Sequence, residues 1–202
     1  MLLKVHPENP SDKHIRRIKE ILESGGVISY PTDSVYAFGC LFDNARAVEK
    51  MVRLKGEKKK KTDFSFVFKD ISQLAEYTTP MSRPVFKLLK SHLPGPFTFL
   101  LEANNRLPKI TGSKKKVIGA RIPDNPIVMN ILQAIDKPLA TTSIHDDDEI
   151  LEYTTDAELI HDRWGKLLDA VIDGGVGDLQ ATTVVDCTTE PWEVVREGKG
   201  IL

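Results

Sequence analysis

Cysteine is scarce in this chain, with Cys40 and Cys187 the only two in 202 residues. So distant a pair makes neither a metal-ligating motif nor a disulfide framework. Both cysteines lie in apolar surroundings, so buried free thiols are expected, and with them a reducing, cytoplasmic setting. Long apolar runs are missing too, since nothing approaches the roughly 18 residues that a membrane-spanning helix needs. The opening stretch Met1-Leu2-Leu3-Lys4-Val5-His6-Pro7 lacks a basic start, a long apolar segment and a small-residue cleavage site, so no signal peptide is expected. The five histidines (His6, His14, His92, His145 and His161) are scattered, and none pairs with another at metal-binding helical spacing. A Gly-x-x-x-x-Gly-Lys-(Ser/Thr) phosphate loop is absent, which excludes a P-loop enzyme. No nucleophile-elbow sequence supports a Ser-His-Asp hydrolase. Gly174-Gly175 reads as turn chemistry, not as a dinucleotide fingerprint. Neither sign of charge is in excess: 28 Lys+Arg against 29 Asp+Glu leave a net charge of −1, so bulk charge draws no polyanion.

What is present suits a soluble globular protein: 41% hydrophobic and 28% charged residues, long enough for a sizeable core, with a single domain expected over 1–202. Ile15, Ile18, Ile21 and Leu22 recur at helical spacing within 12–24, and Gly25-Gly26 closes that helix. The apolar run 27–30 predicts a buried strand, stopped by Pro31, which has no amide hydrogen for a sheet ladder. Further helices are predicted over 44–52 with Asn44 as N-cap, 71–77, 84–91, 125–135 with Pro126 at the first position, and 155–164. Strands are predicted over 64–68, 97–102, 117–121, 139–142, 170–173, 182–186 and 193–196, with 109–116 a Gly- and Lys-rich connector. Strands interleaved with helices indicate an α/β fold. Charge is unevenly spread. Lysines run over 58–61 behind Arg53 and Lys55, and again over 114–116, against the acidic block Asp146-Asp147-Asp148-Glu149. Lysine runs usually decorate solvated loops, but two on one face would attract phosphates.

The most informative stretch is Gly25 through Cys40, where the strand empties into Pro31-Thr32-Asp33-Ser34-Val35-Tyr36-Ala37-Phe38-Gly39-Cys40. Three small oxygen-bearing side chains at a strand end suit a ligand site, although a Pro-started capped turn has the same composition. This stretch resembles the Pro-Thr-(Asp/Glu)-Thr-Val-Tyr-Gly-Leu-Gly signature of the YrdC/YciO family. Other matches follow in order: Lys55-Gly56, Phe64-Ser65-Phe66-Val67, Pro94-Gly95-Pro96-Phe97-Thr98, Gly119-Ala120-Arg121-Ile122-Pro123, Thr141-Thr142-Ser143, Ala181-Thr182-Thr183-Val184-Val185-Asp186 and Val195-Arg196-Glu197-Gly198. The resemblance implies a twisted, open, mostly mixed or antiparallel sheet with helices packed on it and a concave basic face.

By resemblance the activity is threonylcarbamoyl-AMP synthesis from L-threonine, bicarbonate and ATP, with pyrophosphate released, serving tRNA modification. Such chemistry needs no covalent nucleophile. The carbamate oxygen attacks the α-phosphorus, so the protein must position two anions and offset their charge, with Mg2+ arriving on the triphosphate as substrate. No resident metal is implied. Thr32, Ser34, Arg121, Ser143 and Thr182 match the substrate-binding positions. Lys55, Lys58, Lys59, Thr141, Ser143 and Arg196 fall on the nucleotide side, and Lys55 and Arg121 match the charge-neutralising pair. Arg121→Ala and Lys55→Ala are expected to weaken ligand binding with the fold intact.

The chain departs from the family pattern in three places. Glu57 stands where the family has the Arg of Lys-Gly-Arg, His145 where it has the Asn of Ser-x-Asn, and the acidic block where it continues Ser-Gly. These bring the chain closer to the YciO branch, and its length matches the short form without an extra C-terminal domain. Two readings follow: a threonylcarbamoyl-AMP synthase, or a non-catalytic YciO-type protein that holds nucleotide or double-stranded RNA.

Overall fold

In chain order the computed structural model runs Leu2–Lys4 (β1), Asp12–Glu23 (α1), Ile28–Tyr30 (β2), Ala37–Leu41 (β3), Ala45–Leu54 (α2), Ser65–Val67 (β4), Ile71–Tyr77 (α3), Arg83–His92 (α4), Phe97–Glu102 (β5), Val117–Arg121 (β6), Pro126–Ile135 (α5), Leu139–Ser143 (β7), Ala157–Trp164 (α6), Ala170–Asp173 (β8), Thr183–Asp186 (β9) and Glu193–Arg196 (β10). It describes residues 1–54, 64–107, 117–144 and 154–202. The predicted connector 109–116, both lysine runs and the acidic block lie outside the described residues.

Helix limits follow local chemistry. The side chains of Ser11, Asp70, Asn125 and Asp156 each accept a hydrogen bond from a first-turn amide of α1, α3, α5 and α6. Such caps satisfy amides that have no partner within the helix. Asn44 does the same for α2, accepting from the Ala47 amide at 3.1 Å. Gly25, at φ +86°, takes the left-handed conformation that ends α1, and its amide donates to the Leu22 carbonyl at 3.0 Å.

The strands form one sheet in the order β1-β8-β2-β3-β7-β4-β6-β5-β9-β10. Pairs β2–β3, β3–β7, β7–β4, β6–β5 and β9–β10 are antiparallel, and β1–β8, β8–β2, β4–β6 and β5–β9 parallel, so the sheet is mixed, as expected. Sequence periodicity misses β1, which is only three residues long, and β3. Every residue of β3 is buried, on both faces of the sheet, so it shows no apolar–polar alternation to read.

Two apolar clusters sandwich the sheet. One carries the inward faces of α2, α3, α4 and α6 over Phe38, Phe66, Phe97, Phe99 and Ala140. The other carries α1 and α5 over Ile28, Tyr30, Ala37, Val67, Leu139 and Ala170. Among the described residues, this second cluster has no member from β6, β5, β9 or β10. The apolar cover therefore stops at β4, and the same sheet face continues beyond it with Arg121 of β6 and Thr98 of β5 among its side chains. Among the described residues no helix is long and apolar enough to cross a membrane.

Ser29, in register with Phe38 and Val171 on the other face, is 0% exposed and its hydroxyl has no hydrogen-bond partner. An unsatisfied buried hydroxyl costs about 1–3 kcal/mol. Ser29→Ala is expected to raise stability by about 1 kcal/mol, seen as a higher urea midpoint at unchanged slope. A lower midpoint would contradict this.

Candidate functional site

Where the apolar cover ends, the turn after β2 meets the end of β6. Side chains alternate along a strand, so the register Arg121↔Val67 puts Arg121 on the α1/α5 face, beside the uncovered region. Its guanidinium donates from Nη2 to Asp33 Oδ1 at 2.9 Å and to Ser34 Oγ at 3.1 Å. The other Asp33 oxygen accepts from the Asp124 amide at 3.0 Å. Both side chains of this ion pair are buried, Arg121 at 5% and Asp33 at 7% exposure. Burying two charges is costly, and hydrogen bonds at both ends of the carboxylate offset part of that cost.

The hydroxyls of the turn form a directed chain. Thr32 Oγ1 donates to the Val35 carbonyl at 2.8 Å and accepts from the Ser34 amide at 3.0 Å. With its proton spent there, Thr32 accepts from Ser34 Oγ at 3.1 Å, and Ser34 in turn accepts from Arg121. The one donor and two lone pairs of Thr32 are thus all used. Thr32, matched by resemblance to a substrate contact, here shapes the turn and orients Ser34. Arg121 differs: its Nε is buried and has no hydrogen-bond partner. Nearly every buried polar group in a folded protein finds a partner, so this bare guanidinium N–H beside the 31–34 turn marks a candidate ligand position. Nη2 already serves Asp33 and Ser34, so Nε–H is left as a single donor suited to one oxygen of a carboxylate or a phosphate.

On the strand beside Arg121, Thr98 of β5 and Thr182 at the start of β9 share a hydroxyl–hydroxyl contact of 2.8 Å. Arg196 Nη2 donates to the Thr182 carbonyl at 2.9 Å and lies 3.4 Å from its hydroxyl. Ser143 ends β7 in register with Ala37, three residues past Ser34, which places it next to the turn. Thr141 faces the interior. It donates to the Phe38 carbonyl at 3.0 Å and accepts from Tyr30 at 2.7 Å, so its hydroxyl is bound within the sheet. Burial pushes the Tyr30 phenol up to about 12.

The structure thus brings Thr32, Ser34 and Arg121 into one hydrogen-bonded group and Thr182 and Arg196 into another, while Thr141 turns inward. Lys55, Lys58 and Lys59 of the predicted site, and the departures Glu57 and His145, lie outside the described residues. Sequence reasoning missed Asp33 as the partner of Arg121, and it missed Thr98 and Lys199. Thr98 left a signal, being a polar residue inside the apolar strand Phe97–Glu102. The Asp33–Arg121 pair left none, as its members stand 88 residues apart. Among the described residues no group of three or more His, Cys, Asp or Glu side chains is placed to hold a metal.

Comparison with known proteins agrees with this fold. A family model for the Sua5/YciO/YrdC domain, described as telomere recombination, matches residues 20–198. An uncharacterized protein of Haemophilus influenzae is 39% identical over 199 residues, covering 97% of this chain and 94% of that relative. YciO of Escherichia coli is 37% identical over 198 residues, covering 97% of this chain and 94% of its own length. The crystal structure of E. coli YciO superimposes with a TM-score of 0.92 over 100% of this chain and 97% of that one, at 36% identity. P. abyssi Sua5, solved in complex with L-threonine, shares the fold with a TM-score of 0.88 at 22% identity, over 98% of this chain and 57% of that one.

Proposed function

The chain belongs to the Sua5/YciO/YrdC family, and on that basis we propose that its cleft binds L-threonine and ATP and forms L-threonylcarbamoyladenylate for tRNA modification. The observation that carries this reading is the buried, unpartnered Nε of Arg121 beside the Ser34 hydroxyl. A threonine carboxylate oxygen would give that N–H the acceptor it lacks. L-threonine is the molecule found with P. abyssi Sua5.

The reaction proceeds in two balanced steps. The threonine amine adds to bicarbonate with loss of water to give an N-carboxylate. An oxygen of that carbamate then attacks the α-phosphorus of ATP. The new P–O bond forms as the bond to the β-phosphate bridging oxygen breaks, and pyrophosphate departs with the Mg2+ that entered on the triphosphate. The chain's residues act by placement: Arg121 anchors the carboxylate, Ser34 orients the threonine, and Ser143 and Thr182 offer hydroxyls along the cleft. Arg196, with Lys55, Lys58 and Lys59, takes the phosphate charge. Holding two reactants in line in this way is worth several kcal/mol of barrier, on the order of 7–11 at best.

The expected result is pyrophosphate release from ATP and bicarbonate that depends on threonine and magnesium. No release above the threonine-free control, beside a competent family member in the same assay, would overturn the synthase reading. A second reading has its own support in Glu57 and His145, which replace a cation and an amide of the family pattern. On this view the cleft binds nucleotide or double-stranded RNA without turnover. Binding of ATP or duplex RNA at low salt, with no pyrophosphate release, would favour it.

A further inference from the structure

The segment that follows β10 folds back against the start of β9. The Gly198 amide donates to Thr183 Oγ1 at 2.9 Å, the Lys199 amide to the Ala181 carbonyl at 2.8 Å, and Thr183 Oγ1 to the Gly200 carbonyl at 2.6 Å. Both glycines lie too close to their neighbours for a side chain. A Cβ on Gly198 would sit 2.4 Å from the Ala181 carbonyl oxygen, and one on Gly200 would sit 2.5 Å from the Phe97 ring. The backbone is therefore seated flush on β5 and the approach to β9, and the one side chain between the glycines has a set direction.

That side chain is Lys199. Its Nζ donates to the Asp33 carbonyl at 2.7 Å and to Asp178 Oδ2 at 2.8 Å. Asp178 is itself joined to the turn, since its amide donates to the Ser34 carbonyl at 3.1 Å. The hydrogen bond from Lys199 holds the Asp178 carboxyl below the usual carboxylate range. Asp33 is consequently gripped at both ends, its carboxylate by Arg121 and its carbonyl by Lys199. With side chains 39% and 36% exposed, the Lys199–Asp178 pair adds little to global stability. Its place at the junction of the 31–34 turn, the loop around 178 and the chain end points to a different use.

We propose that Lys199 is a positioning residue of the cleft: its ammonium ties the Asp33 carbonyl to the Asp178 carboxylate and so holds the 31–34 turn with Ser34 and Asp33 set against Arg121. The consequence for ligand affinity rests on the reading of the cleft as a threonine site. The effect on the turn does not.

Two measurements on the full chain separate these. Amide hydrogen exchange in Lys199→Met is expected to speed up about tenfold or more at residues 33–36, with β5 and α5 unchanged, because a local clamp governs local opening. Exchange at 33–36 equal to that of the parent protein would overturn the proposal. Calorimetry with L-threonine is expected to show about tenfold weaker binding to Lys199→Met, with most of the affinity restored in Lys199→Arg. Equal affinity for Lys199→Met and the parent would also overturn it. A parent protein that binds no threonine would sink the reading of the cleft instead, and hydrogen exchange would then decide the role of Lys199 alone.

Discussion

Arg121→Met is expected to lower folding stability by about 3–5 kcal/mol, in addition to any loss of ligand affinity. The sequence alone suggests a substitution that spares the fold, because an arginine before Ile122-Pro123 at a strand end looks like a surface cation. In the structure it neutralises Asp33, whose carboxylate is 7% exposed and would keep only the Asp124 amide. Removing one member of a buried pair leaves the other as an uncompensated charge, and that penalty exceeds what the pair itself contributes. Urea unfolding of Arg121→Met, Asp33→Asn and the double variant measures the effect. Both single variants should be destabilised, and the double should recover at least about 1 kcal/mol relative to their sum. A single Arg121→Met variant as stable as the parent would show that the pair is not buried as described.

Stability should also collapse on the alkaline side. Burial pushes Cys40 from 9.0 up to about 12, and Tyr30 and Tyr36 from 10.0 up to about 12. All three side chains are 0% exposed. Each group keeps its proton in the folded state at a pH where the unfolded chain has lost it. Unfolding then releases protons, and stability falls as pH rises. The contribution is complete below the unfolded values, near 9 for the thiol and 10 for the phenols, and is lost as pH climbs toward 12. Each such proton costs about 1.4 kcal/mol per pH unit. Cys40 acts alone between pH 9 and 10, and the three act together above 10, so stability falls by roughly 5 kcal/mol by pH 11. That is comparable with the whole stability of a typical domain. Lys69 and Lys137, raised by Asp136 and Asp43, lose their stabilisation in the same direction above 10.5. Urea midpoints between pH 8 and 11, with phenolate absorbance, test this. The midpoint should drop steeply above pH 9.5, and the Tyr30 and Tyr36 phenolates should appear only with unfolding. A midpoint at pH 10.5 equal to that at pH 8 would contradict it.

Local chemistry was legible from the residues alone. Strand 97–102 and helix 71–77 stand where periodicity places them, and Gly25 and Pro126 act as their types require, because caps, turns and amphipathic spacing depend on neighbours a few positions away. The small oxygen-bearing residues after Tyr30 could likewise be marked as a candidate site without coordinates. Which of their hydroxyls the fold itself consumes could not. Thr32 and Thr141 have the same chemistry as Ser34, yet Tyr30 and the Phe38 carbonyl take up the hydroxyl of Thr141, and the turn consumes that of Thr32. Nor does any local pattern join Asp33 to Arg121, or Lys199 to both Asp33 and Asp178. Those meetings depend on a strand order that departs from chain order and on an apolar cover that stops at β4. Residue spacing encodes which face of an element is apolar. Which elements lie side by side follows only from how the whole chain buries those faces together.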